Sequence, residues 1–131
     1  MSDLAPEFID RIRTAVGPLR VRGGGSKDFY GEAPRGEIVD TRGHCGVVAY
    51  EPTELVVTAR SGTPLAEVEA LLAEKNQMLA FEPPHFGRPA AADAGEGQPI
   101  AAEGGDSAAA AAAGATIGGV VAAGLSGPRR A

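Results

Sequence analysis

At 131 residues the chain has room for one domain with its own core and is too short for two of ordinary size. Its formal net charge of -5 runs against the basic footprint of a protein that follows a phosphate backbone, so nucleic acid is not an expected partner. Cys45 is the only cysteine, which excludes an internal disulfide and a cysteine metal cluster and suits a reducing cytoplasm; no metal site is expected.

Phe8, Ile9, Ile12 and Val16 recur at helical spacing behind Pro6, so residues 5 to 16 are expected to form an amphipathic helix, capped by a left-handed Gly17 before Pro18. Its acids also set the N-terminus apart from a secretory signal, and no apolar run approaches the roughly 20 residues of a membrane span. Leu19 to Arg22 alternates as a short strand and runs into "GGGSK". "GEIVDTRG", "GVVAYEP" and "ELVVTARSGTP" are β-prone runs. Thr63-Pro64 then reads as a helix start, with Thr63 accepting from free first-turn amides. The helix is expected over residues 64 to 75, packing one face on a sheet and leaving through a left-handed Asn76. "QMLAF" is expected as a strand, and the prolines of "EPPHFG" end regular structure. Residues 88–115 are rich in Ala and Gly with one large aliphatic, Ile100, and read as an insert within the domain. "TIGGVVAAGLSG" resumes as a helix from Thr116.

Two segments carry candidate chemistry. Consecutive glycines can turn several amides toward one point, a nest that suits a phosphate, although a triple glycine is also a common plain turn. Gly23, Gly24 and Gly25 are followed by Ser26, Lys27 and Asp28; a Walker loop needs Gly-Lys-Ser/Thr and the dinucleotide fingerprint needs a glycine where Asp28 stands, so neither motif is present. Gly118 and Gly119, in the first turn of the helix from Thr116, weaken any helix kept only for packing. They suit either close approach of a ligand to free amides at the positive helix end or tight packing of small residues. Lys27, Arg129 and Arg130 could meet anionic groups. His85, and the His44-Cys45 pair, have no orienting third group and read as ordinary polar positions.

Taken together, "VRGGGSKDFYG", "DTRGHCGVVAYEPTELVVTARSGTPLAEVEALLAEKNQMLAFEPPHFG" and "ATIGGVVAAGLSGPRR" resemble the N-terminal half of p-cresol methylhydroxylase (PCMH)-type flavoproteins, the vanillyl-alcohol oxidase superfamily, and within it the FAD-binding E subunits of bacterial glycolate oxidases. The resemblance implies an α+β fold: a PCMH-type FAD-binding domain over residues 1–131, present as its first subdomain and the start of the second, with the family's sequence continuing past the position of Ala131. It implies that Gly23, Gly24, Gly25, Ser26 and Lys27 wrap the FAD pyrophosphate, that Thr116, Gly118 and Gly119 approach the flavin, and that Gly124, Ser126 and Gly127 line the next turn with Pro84 nearby. Members that attach flavin covalently use a histidine in the glycine loop; Ser26 and Lys27 stand here, so non-covalent FAD is expected. The implied activity is oxidation of a 2-hydroxy acid such as glycolate, with electrons leaving through a second flavoprotein subunit and an iron-sulfur subunit in the cytoplasm, at the membrane only through those partners. No catalytic base is assigned, and the alternative is a non-catalytic FAD-binding or assembly module or an inactive truncated fragment.

Overall fold

The computed structural model describes residues 3–86 and 114–127. Their element order is α1 (Ala5–Thr14), β1 (Leu19–Arg22), β2 (Glu37–Asp40), β3 (Val47–Glu51), β4 (Val56–Ala59), α2 (Leu65–Ala73) and α3 (Ile117–Ala123). Helices and two small sheets thus form a mixed α/β arrangement, in which β1 pairs with β2 in parallel and β3 with β4 antiparallel.

β1 and β2 run in register from Leu19 opposite Glu37 to Arg22 opposite Asp40. Parallel strands need a long connection, and here residues 23–36 supply it without a helix. Gly36 closes that connection at φ 121°, where a Cβ would stand 2.4 Å from Pro18 O, so both the backbone angle and the space require glycine. The β3–β4 hairpin turns through Pro52 to Leu55, with Leu55 N donating to Pro52 O at 3.3 Å and Leu55 itself left-handed at φ 57°.

The core lies between α2 and α3. Leu65 packs with Ala115 and Val120, and the half-buried Leu79, Phe81 and Ile117 close around them. Of the apolar face that α2 is expected to lay on a sheet, Leu65 packs on α3 and the segment before it. The two helix starts are stitched by backbone bonds: Leu65 N donates to Ala115 O at 2.8 Å, and Ile117 N to Thr63 O at 2.9 Å. Ala115, at the edge of the expected insert, is therefore a core residue; residues 88–113 of that insert lie outside the described residues.

Four local expectations are corrected. Thr63 does not cap α2, whose N-cap is Pro64 with no side-chain bond. Fully buried, Thr63 instead accepts from Gly46 N at 2.9 Å and donates to Arg60 O at 2.6 Å, while Ala115 takes the first amide of α2. Residues 77–81 are not a strand: Gln77, Leu79 and Phe81 turn inward and Met78 and Ala80 outward, but no ladder partner lies beside them among the described residues. Gln77 is held through its side chain, by Tyr50 Oη and Pro52 O. Gly17 is not left-handed, since α1 ends through Ala15 in an extended conformation. Finally, α1 has no buried residue. It is tied to the rest by Phe8 against the His44 ring, Leu4 N on His44 Nδ1 and Arg11 on Glu37 and Ile38 O, while Ile9 and Ile12 stay exposed. The left-handed exit at Asn76 is present, at φ 55°.

Candidate functional site

β1 leads directly into the glycine loop because its pairing with β2 ends at Arg22. Gly25 reverses the chain at φ 74°, and two turns follow, with Asp28 N donating to Gly25 O at 3.1 Å and Tyr30 N to Lys27 O at 2.9 Å. Thr116, the N-cap of α3, faces the loop from the other side. A Cβ at Gly23 would stand 2.6 Å from Thr116 Oγ1, so glycine at this position is what lets loop and helix touch.

Loop and helix enclose a cavity of about 310 Å³, at the lower end of the ~300–1,000 Å³ range of ligand pockets. Gly23, Gly24, Gly25, Ser26 and Lys27 form one wall, and Thr116, Gly119 and Ala122 another. None of the five amides from Gly23 to Lys27 donates a hydrogen bond among the described residues, and Gly24 is buried. A buried backbone donor is nearly always paired, so Gly24, flanked by four half-buried residues whose amides are equally unengaged, marks a run suited to an acceptor from outside the chain.

Lys27 adds charge to those donors. It is partly buried, which pushes its pKa below the ordinary lysine value, and its nearest partner is Ser26 Oγ at 3.4 Å. No carboxylate pairs with it among the described residues. Arg20 and Arg22 also line the cavity but are both engaged by Asp28, at 3.1 and 2.6 Å. In the sequence these arginines belong to an alternating strand and carry no site assignment. The signal was there: period two puts Arg20 and Arg22 on one face of β1, next to the loop that β1 feeds.

The helix side differs from expectation in its first turn. The amides expected to be free are taken: Ile117 N by Thr63 O, Gly118 N by Ser61 O at 2.9 Å, and Gly119 N by Thr116 Oγ1 at 3.3 Å. The two glycines have separate reasons. A Cβ on Gly118 would stand 2.7 Å from Ser61 O, so its smallness serves packing, and it does not line the cavity. A Cβ on Gly119 would stand 3.7 Å from Lys27 Nζ, at the cavity wall.

The remaining candidates lie outside the lining of this cavity. Gly124 is the left-handed C-cap of α3 at φ 63°, Ser126 is half-buried, and Gly127 N donates to Phe81 O at 2.9 Å. Pro84 is half-buried in a segment that meets the loop's far side through the Phe29 and Phe86 rings, whose centroids are 5.6 Å apart. His85 pairs with Glu69 at 2.9 Å, and His44 with the start of α1. Arg129 and Arg130 lie outside the described residues.

Comparison with known proteins gives two matches. The family described as FAD binding domain matches residues 7–91, a span that includes the glycine loop and stops short of α3. Over 91 residues the chain is 44% identical to glycolate oxidase subunit GlcE of Escherichia coli (strain K12), an alignment covering 67% of this chain and 26% of that protein. The chain thus spans about a quarter of the length of that relative. No solved structure matches it.

Proposed function

The chain belongs to the FAD-binding-domain family, and on that premise we propose that its glycine loop holds the pyrophosphate of FAD non-covalently, through the amides of Gly23 to Lys27 and the Lys27 ammonium. The observation that carries this reading is the run of five amides without an internal acceptor, opening on a cavity beside an ammonium with no carboxylate partner among the described residues. That donor set fits a diphosphate: successive backbone N–H groups converge on anionic oxygens, and a lysine supplies the charge. Thr116 and Gly119 close the other wall, and Gly118, Gly124, Ser126, Gly127 and Pro84 support the segments around it. The described residues then correspond to the first subdomain of a PCMH-type domain and the opening of the second.

Bound FAD supplies hydride acceptance, and the likeness to GlcE supports a role in oxidising a 2-hydroxy acid such as glycolate, with electrons passed to a second flavoprotein and an iron-sulfur subunit. This chain's own work is to bind and orient the cofactor; no described residue is assigned as a base. No helix among the described residues is long and apolar enough to cross a membrane. Purified chain should retain one FAD per molecule through gel filtration, read by flavin absorbance. Loss of all flavin, with no binding on titration, would refute the reading.

Lys27→Met is expected to weaken FAD binding about tenfold at pH 7, the low end for a hydrogen bond to a charged group. The pH dependence has a definite sign. Burial lowers the Lys27 pKa in the free protein, and a bound phosphate raises it again, so binding takes up a proton at alkaline pH. Affinity should therefore fall as pH rises through that lowered pKa, and fluorescence titrations from pH 7 to 10 should show Lys27→Met lacking that component of the slope.

A further inference from the structure

We propose that Asp28 is a positioning residue that holds the glycine loop in its ligand-receiving shape by fastening the loop's exit to the strand at its entrance. Arg22, the last residue of β1, sends both Nε and Nη2 to Asp28 Oδ2, at 2.9 and 2.6 Å. Arg20, two residues earlier on the same face, brings Nη2 to within 3.1 Å of Oδ1. Both carboxylate oxygens are thus engaged, and the Asp28 amide closes the same ring through Gly25 O at 3.1 Å. Arg22 is itself fixed, since its carbonyl accepts from Thr41 N at 2.9 Å at the end of the β1–β2 ladder.

Between these two fastened points lie the five residues whose amides have no internal acceptor. Three of them are glycines, the residues with the most backbone freedom to lose on ordering. An isolated surface ion pair contributes little, but one that restricts three glycines lowers the ordering cost a ligand would otherwise meet. The inference rests on the phosphate reading of the loop.

Charge alone predicts the opposite of positioning, which makes the role testable. Asp28 is an acid in the lining of a cavity assigned to a diphosphate, so removing it should strengthen anion binding if only charge mattered. FAD is titrated by flavin fluorescence into the unaltered chain, Asp28→Ala, Arg22→Met and the double variant. Nitrogen-15 relaxation of Gly23, Gly24 and Gly25 is measured on the same proteins without FAD, and Asp28→Asn substitutes if Asp28→Ala fails to fold. Asp28→Ala should bind FAD about tenfold more weakly, and its glycine order parameters should drop from near ~0.85 toward ~0.6. Arg22→Met should add little to it, because both act through one contact. Retained glycine order in Asp28→Ala overturns the inference in every case, and so does equal or tighter FAD binding where the unaltered chain binds FAD. An unaltered chain that binds no FAD refutes the phosphate reading instead, and the order parameters then decide the loop-fastening role by themselves.

Discussion

Gly24→Val is expected to reduce FAD affinity by at least about a hundredfold while leaving α2 and the core folded. Gly24 lies within the amide run, between Gly23 and Gly25, is buried, and lines the cavity. A branched side chain there either projects toward the bound anion or forces the backbone away from it, and both outcomes withdraw neighbouring amides. Loss of two charge-assisted hydrogen bonds at ~1.5 kcal/mol each gives a factor of roughly 150. Isothermal titration with FAD reads the loss, and far-UV circular dichroism with a thermal melt reads the fold. Unchanged affinity would remove the loop from the site.

The second large effect falls on stability. Gly62→Ala is expected to destabilise the chain by about 3 kcal/mol or more, above the ordinary run of overpacking substitutions. A Cβ at Gly62 would stand 2.0 Å from Thr41 O and 2.8 Å from His44 O. These are backbone atoms that cannot rotate aside, and Gly62 N already donates to His44 O at 2.8 Å. Displacing the chain there also pulls on Thr63, whose buried hydroxyl joins Gly46 and Arg60. Against a total stability of ~5–15 kcal/mol, urea unfolding should show a marked drop in midpoint with little change in slope. Gly17→Ala is the control: nothing lies within 4 Å of its Cβ position, so its midpoint should move little.

The difference between those two glycines indicates what could be read from sequence and what could not. Composition and local pattern announce elements, so α1, α2 and the strands β1 to β4 follow from spacing, and Asn76 from its tolerance of the left-handed region. A glycine announces only that a side chain is unwelcome; whether backbone, ligand or nothing occupies the space is decided by residues far along the chain. Gly118 and Gly119 are adjacent, yet one is pressed on Ser61 and the other opens on the cavity. Thr63 has the composition of a helix cap, but burial against Gly46 gave its hydroxyl better partners. Residues 77–81 alternate as a strand would, and alternation reports which side is buried, not whether a ladder exists. At the candidate site, the loop was legible because glycines in a row are conspicuous. The Asp28 pair with Arg20 and Arg22 was not, because charged residues near a turn look like solvated surface.

The contact of Gly23 with Thr116 has a consequence for the order of folding. The β3–β4 hairpin joins near neighbours in sequence and can form on a ~1–10 μs timescale, whereas the cavity exists only once segments from opposite ends of the chain have met. Such non-local closures slow folding because the entropy of the intervening chain is lost before the contact rewards it. Capacity for ligand should therefore be among the last properties acquired during refolding, appearing after helical signal and hairpin protection are complete, and a ligand present at that stage would act on the final closure alone.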